Sequence, residues 1–276
     1  KIKKIKVGVN GYGTIGKRVC TAIQKQKDME LVGVTANSFN YRINLAYEAG
    51  INIFSNNNSV DKDLKIKEIN AAGNLDDLLE SVDVIIDCTP KPLGAEHKEL
   101  YDSKGVKAIF QGGEKAEVAE MSLVSQCDYY RCVGQSSLRV VSCNTTGLSR
   151  TLHPIDKKYG IEHAHVVLIR RGTDSYDHKR GPINSIVPSF EQPSHHGPDV
   201  RTVLPRLEIF TTAYVVPTTL MHVHDLVLDM RADNFDKEDI IQLLNDTPRV
   251  RVLPVDQNIN STAQVMDYSK DMEMNI

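Results

Sequence analysis

An α/β architecture, a doubly wound parallel sheet followed by an α+β domain with a mixed or antiparallel sheet, is predicted by three observations. Through about residue 142, short β-branched runs alternate with helix-like segments, the order that a parallel sheet with crossover helices requires. Those runs are almost continuously apolar, as strands covered on both faces are. Beyond that point the apolar runs lengthen and alternate, which suits a sheet with one covered face. The 276 residues therefore divide into a first domain, 1–142, and a second, 143–276, each long enough to bury a core.

Taken in order, "IKVGVN" (5–10) is the first strand. The helix "TIGKRVCTAIQKQ" follows, with Ile15, Val19, Ala22 and Ile23 at helical spacing and Lys17, Arg18 and Gln24 free to face water. Further strands are "LVGVT" (31–35), "VDVIIDC" (82–88), "VKAIFQG" (106–112) and "LRVVSC" (138–143), with "INIFS" and "LKIKEIN" as weaker candidates. In the second domain a helix opens at "NTTGLSR", carries Leu148 and Leu152 at helical spacing, and is expected to stop at Pro154, which lacks an amide hydrogen. The strands "IEHAHVVLIRR" (161–171), "RLEIFTTAYVV" (206–216) and "LMHVHDLVLDM" (220–230) form the second sheet. A Gly/Pro/Ser/His-rich connection, 172–205, joins the first two of them; loops of that length inside a compact domain are usually functional. "DKEDIIQLLND" (236–246) reads as a helix capped by Asp236 with Ile240, Leu243 and Leu244 buried, and Ser261 with Gln264 forms a capping box for another.

Composition narrows the function classes. The chain is 41% apolar with a formal net charge of -3, so neither nucleic acid nor an anionic membrane is an expected partner. No apolar run approaches the roughly 18 residues of a membrane span. The opening "KIKKIK" has no signal-peptide core behind it, and a cytoplasmic location is expected. Five cysteines, Cys20, Cys88, Cys127, Cys132 and Cys143, fit neither a disulfide framework nor a zinc pattern. Reduced thiols and no metal site are expected.

"VNGYGTIG" sets Gly11, Gly13 and Gly16 in G-x-G-x-x-G spacing between a strand and a helix. Gly11 permits the tight turn, Gly13 admits a pyrophosphate to the backbone, and Gly16 lets helix and strand close on each other. That is the dinucleotide fingerprint of a Rossmann domain. The second strand ends in "LVGVTANSFNY", with Thr35, Asn37 and Ser38 but no acid to hydrogen-bond a ribose and repel an extra phosphate. NADP or NAD is therefore the expected cofactor, and strict NAD selectivity is not.

Cys143 falls between a strand end and a helix start, where free amides and the helix dipole favour a thiolate and an oxyanion. Asn144, Thr145 and Thr146 fill the first turn. From the residues alone, Cys143 is either packing or a nucleophile. A nucleophile needs a partner base, and His222 and His224, two apart on one strand face, are candidates. His195 and His196 precede Pro198 at a helix start suited to a phosphate, or belong to a solvated loop. Arg170 and Arg171 suit either phosphate binding or a surface ion pair.

"VNGYGTIGKRV", "DMELVGV", "IFQGGEKAEVA", "RVVSCNTTGLSRT", "GPINSIVP", "PSHHGPDV", "PTTLMHVH" and "NDTPRV" together resemble the archaeal-type glyceraldehyde-3-phosphate dehydrogenases along nearly the whole chain. The resemblance implies Cys143 as nucleophile and His222 as acid-base partner, with His224 secondary. It implies Ser142, Cys143 and Asn144 at the substrate, where Thr145 of the same helix turn is also expected, and His195 and His196 at its phosphate. Thr14, Ile15, Gly113 and Arg171 fall where that family contacts cofactor, and Ala36 stands where several members carry a lysine for the NADP phosphate. The implied activity is phosphorylating oxidation of glyceraldehyde 3-phosphate by NAD(P) with inorganic phosphate, through a thiohemiacetal and an acyl-thioester, in a homotetramer. The resemblance also implies several dozen residues beyond Ile276, so the second domain is expected to be incomplete. A related aldehyde dehydrogenase of aspartate-semialdehyde type, or an inert nucleotide-binding protein, is the alternative.

Overall fold

The computed structural model describes residues 3–174 and 184–274 of the chain. These form two compact units, one of residues up to Leu123 with Tyr130–Val141, the other of Val124–Tyr129 with the residues from Ser142 onward.

The first unit contains strands β1 (Ile5–Asn10), β2 (Met29–Ala36), β3 (Ile53–Ser55), β4 (Gly73–Asn74), β5 (Val84–Asp87), β6 (Lys107–Phe110), β7 (Met121–Leu123) and β8 (Ser137–Val140). They make one eight-stranded sheet in the order β4-β3-β2-β1-β5-β6-β8-β7, every pair parallel. Between the strands run α1 (Thr14–Gln24), α2 (Tyr41–Glu48), α3 (Asn58–Ile66), α4 (Leu75–Glu80) and α5 (Leu93–Ser103); α6 (Ser125–Cys132), kinked at Asp128, belongs to the second unit up to Tyr129 and to the first beyond it. Two apolar clusters cover the sheet, one including Val9, Val34 and Leu64, the other Leu79, Ile85 and Phe110. Strand order reverses between β1 and β5, and the crevice beyond their carboxyl ends is where open α/β sheets bind ligands.

Two expectations for this unit change. The segment "LKIKEIN" is not a strand: its first residues finish α3, because the Asn57 side chain caps that helix at Val60 N and Val60 and Leu64 bury one helical face. The alternation that suggested a strand leaves Ile66 75% exposed. In α1 the buried stripe is Gly16, Cys20 and Ile23, while Ile15 and Ala22 face outward. The helix is turned to bring Gly16 against the glycine turn, where an added Cβ would lie 2.0 Å from the Gly11 carbonyl oxygen.

The second unit is built on α7 (Cys143–Tyr159), β9 (Ile161–Arg171), β10 (Val187–Pro188), α8 (His196–Arg201), β11 (Ile209–Val216), β12 (Val223–Met230), α9 (Lys237–Asn245) and α10 (Thr262–Asp271). Its sheet is mixed, in the order β10-β11-β9-β12, with β9 and β11 parallel and the outer pairs antiparallel. Ala164, Val166, Leu168 and Ala213 are buried on the face that receives α7 and α8. Phe210, Tyr214, Val223 and Val227 stand exposed on the sheet. The connection 172–205 holds β10 and α8; residues 175–183 of it, including the start of "GPINSIVP", lie outside the described residues.

Pro154 does not end α7, which runs on to Tyr159 and a Gly160 at φ +72°. A helical proline costs about 3 kcal/mol. Burying Ile155 on the same stripe as Leu148 and Leu152 returns roughly 1.5–3 kcal/mol, and the Tyr159 ring adds to it although its hydroxyl is buried without a partner among the described residues, so together they offset the penalty. The strand of His222 and His224 starts only at Val223, so His222 precedes it. In α9 the Asp236 cap is present, but Ile240, Leu243 and Leu244 are half-buried. At α10 Ser261 caps Gln264 N, whereas the Gln264 side chain accepts from Asn260 N and the Ser261 hydroxyl, not from the Ser261 amide that a capping box requires.

Gly16→Ala forces a Cβ into the Gly11 carbonyl and should lower Tm by roughly 5 °C or more, for strain of about 2 kcal/mol. A thermal melt superimposable on wild type would contradict the close approach.

Candidate active site

Within the second unit, Ser142 adopts an extended conformation and caps α7, its hydroxyl accepting from Thr145 N at 3.2 Å. That cap places Cys143 on the first residue of a 17-residue helix, at the positive end of its dipole. Cys143 is exposed, unlike any other cysteine. Cys20 and Cys132 are buried and Cys88 and Cys127 half-buried, and burial pushes the thiols of Cys20 and Cys127 up to about 12. Only Cys143 is both open and paired with an imidazole: its Sγ lies 3.5 Å from His222 Nε2.

The state of that imidazole follows from its other nitrogen. Arg171 N donates to His222 Nδ1 at 3.1 Å, so Nδ1 is an acceptor and the neutral ring carries its proton on Nε2, facing sulfur. Burial, then the positive charge of Arg171, holds His222 down at about 4, so the ring is neutral near pH 7. Met221, at φ +62°, turns the chain immediately before it. His224 Nε2 lies 2.9 Å from Asn144 Oδ1, an acceptor, and therefore donates to it. Burial also lowers His224.

The other expected substrate residues divide by exposure. Thr145 is fully buried and donates to Asp199 Oδ2 at 2.7 Å, tying α7 to α8; its side chain fixes the helix start and does not lie open to a ligand. Asn144 is 4% exposed and held by His224. His195 is exposed and stacks on His196 with centroids 3.9 Å apart. His196 is 1% exposed, and burial with the neighbouring His195 holds it at about 3, so it is a neutral support behind His195 and not a charged anchor. Arg171 is half-exposed and paired with Asp174. The Arg170 Nε is buried with no hydrogen-bond partner among the described residues. Asp199 is the site residue that sequence reasoning missed; an acid two residues beyond a helix-opening Gly197 carries no signal of a partner 54 positions away.

In the first unit the glycine turn has the geometry its spacing requires. Gly11 sits at φ +95°, and a Cβ added at Gly13 would meet nothing within 4 Å. Gly113, at φ +85°, is equally open. Thr14 Oγ1 is buried without a partner among the described residues, at the first turn of α1 beside exposed Ile15. Such a cradle fits a pyrophosphate. Thr35 departs from expectation: it is fully buried, donates to Asn10 Oδ1 at 2.6 Å and accepts from Gly11 N, so it supports the turn from beneath. Asn37 is exposed and lines a cavity of about 580 Å³ with Asn56, Asn57, Asp61, Asp76 and His97.

Residues 142–275 match the family pattern described as glyceraldehyde 3-phosphate dehydrogenase, C-terminal domain, and residues 5–133 that described as dihydrodipicolinate reductase, N-terminus. A glyceraldehyde-3-phosphate dehydrogenase from Thermococcus kodakarensis is 49% identical over 269 residues, 98% of this chain and 79% of the relative. One from Pyrococcus abyssi is 50% identical over the same span and shares. The chain belongs to the glyceraldehyde-3-phosphate dehydrogenase family. With that membership come the oxidoreductase class and a nicotinamide cofactor. The more distant Methanosarcina barkeri glyceraldehyde-3-phosphate dehydrogenase 1 is 44% identical over 271 residues, 98% of this chain and 79% of its own. An aspartate semialdehyde dehydrogenase II from Vibrio cholerae, solved with ASA, shares the fold at a TM-score of 0.64 and 15% identity, covering 89% of this chain and 78% of that one.

Because the folded-state values of His196 and His222 lie below the roughly 6.5 of a free imidazole, the unfolded chain binds more protons as pH falls. Their contribution is present above pH 6.5 and is lost as pH drops toward 4. The Tm difference between wild type and His196→Gln should therefore shift against wild type across that window, read by melts at stepped pH; a constant difference would contradict a buried neutral His196.

Proposed function

We propose that the protein catalyses the reversible phosphorylating oxidation of glyceraldehyde 3-phosphate to 1,3-bisphosphoglycerate with NAD or NADP, using Cys143 as nucleophile and His222 as its proton-handling partner. The observation that carries this reading is the 3.5 Å approach of an exposed helix-start thiol to the protonated nitrogen of a neutral imidazole. The Cys143 thiolate adds to the aldehyde carbon, forming a C–S bond and an alkoxide. His222 Nε2–H donates first to the thiolate and then to the developing oxygen, which the amides of the α7 first turn also meet. Bound nicotinamide supplies the hydride acceptor. What remains on Cys143 is an acyl-thioester; inorganic phosphate attacks its carbonyl, the C–S bond breaks, and the thiolate returns. A thioester keeps the acyl-transfer reactivity that an acyl phosphate demands, which explains a cysteine in place of a serine.

Phosphate groups are assigned to His195, backed by His196, and to Arg170 and Arg171, whose guanidinium groups suit phosphate oxygens. The first unit, taken as domain 1–142, holds the cofactor at Gly11, Gly13, Thr14, Ile15 and Gly16, with Gly113 and Asn37 lining its path. The second, 143–276, carries the chemistry. Asn37, Asn56 and Asn57 offer amides that accept or donate to either a ribose hydroxyl or a ribose phosphate, so both cofactors are admitted. Homotetramer formation is supported by the exposed Phe210, Tyr214, Val223 and Val227, apolar groups that a second copy would cover.

Cys143→Ser should abolish acyl-enzyme formation and reduce turnover at least about 10³-fold while NADP still binds; near-normal turnover refutes the nucleophile. His222→Asn should lose more than about tenfold in kcat, and a smaller loss moves the role to His224. Activity on aldehydes with and without phosphate separates this reading from an aspartate-semialdehyde type.

A further inference from the structure

Behind the glycine turn lies a buried polar chain that the chemistry above does not use. Asn10 and Asp87 end β1 and β5 as register partners, at the point where the strand order reverses. Asp87 is 1% exposed. Its Oδ1 accepts from Thr89 N at 2.9 Å and Thr89 Oγ1 at 2.5 Å, and its Oδ2 from Tyr101 OH at 2.6 Å. His97 Nδ1 lies 2.8 Å from the same Oδ2. Burial alone would raise the Asp87 carboxyl, but the hydrogen bonds from His97, Thr89 and Tyr101 outweigh it and hold the group below the usual carboxylate range.

An ionised carboxylate only accepts, and that fixes the direction of every bond connected to it. Tyr101 must donate to Asp87, leaving its oxygen to accept from Asn10 Nδ2 at 2.7 Å. The amide orientation of Asn10 is thereby set, with Oδ1 turned to accept from Thr35 Oγ1 at 2.6 Å. Thr35, its proton committed, accepts from Gly11 N at 2.9 Å. His97 Nδ1 must likewise donate to Asp87, so its 3.2 Å approach to Asn10 Nδ2 sets two donors face to face and is not a hydrogen bond. The main series thus runs one way from a single charge to the first amide of the glycine turn, and bonds in such series reinforce one another; Asn10 Nδ2 also reaches Asp87 Oδ2 directly at a longer 3.4 Å, and Asn56 Nδ2 donates to Asn10 Oδ1 and Thr35 Oγ1 at 3.2 Å, all in the same sense.

We propose that Asp87, acting through Tyr101, Asn10 and Thr35, is a positioning residue for the cofactor: it locks the Gly11 peptide so that the open backbone at Gly13 and the α1 amides meet the pyrophosphate already aligned. The Gly11 amide is consumed inside the protein, which leaves the pyrophosphate to the amides beyond it. This inference rests on the reading that the glycine turn holds the cofactor.

The test is calorimetric titration of NAD and of NADP into the full chain, alongside steady-state kinetics and melting curves. Tyr101→Phe, which removes one buried oxygen and keeps the ring, should weaken cofactor binding about tenfold. The loss should appear in the cofactor KM and not in kcat. Asp87→Asn, which keeps the shape and removes the charge, should act in the same direction. Thr35→Val combined with Tyr101→Phe should cost no more than the larger single effect, since both cut one chain. Affinities within twofold of wild type, a loss confined to Tm or kcat, or additive effects in the double variant would overturn the proposal. Gly13→Val separates the two readings: its Cβ meets nothing in the protein, so lost binding there beside intact binding in Tyr101→Phe sinks the positioning role alone, while intact binding in Gly13→Val sinks both.

Discussion

The first turn of α7 is held in place from beneath. Ser142 caps it, Thr145 anchors it to Asp199 on α8, and Asn144 is gripped by His224 from β12. Each of those three neighbours of Cys143 is half-buried or buried, and none leaves its polar side chain idle. The sulfur itself is the one group of the turn that faces outward. Rigidity there comes from the residues around the thiol, whose own side chain is left unencumbered except by His222, as the nucleophile proposed for it requires.

The imidazole is fixed by the same economy of contacts. Its Nδ1 takes a backbone amide from Arg171, the last residue of β9, so the sheet and not a carboxylate chooses the tautomer. An acid in that place would have drawn the ring toward its charged form. A backbone donor, burial and two nearby guanidinium groups all push the other way, and the outcome is a ring that is neutral and presents an N–H to sulfur. In the first unit the equivalent rigidity is obtained with a charge: Asp87 orders the hydrogen bonds below the glycine turn where β1 and β5 part.

Much of this was legible in the residues. The main strands, the glycine turn and the position of Cys143 at a helix start follow from local chemistry, because each is encoded by residues close in the chain; His222 as its partner, 79 residues away, comes from the family resemblance, the residues alone leaving His222 and His224 open. The misreadings share a different cause. Ile15 and Ala22 face outward because the face of α1 is dictated by Gly16 meeting Gly11, a contact that apolar periodicity does not register. Pro154 is tolerated because Ile155 and Tyr159 lie on a stripe whose burial offsets the local penalty. Thr35 and His196 carry polar groups suited to a ligand, but long-range packing turned both inward. Asp87 and Tyr101 are 14 residues apart and met only through the fold, so nothing in "VDVIIDC" announced a network.

Burying two thiols, half-burying two and baring one has a chemical cost. Peroxide and other electrophiles reach an accessible sulfur first, and in this protein one cysteine is exposed. Oxidation there proceeds first to a sulfenic acid, which a small-molecule thiol can reverse, and then to forms that none can. If Cys143 is the nucleophile proposed, the same openness makes it the place where oxidative stress would silence the molecule.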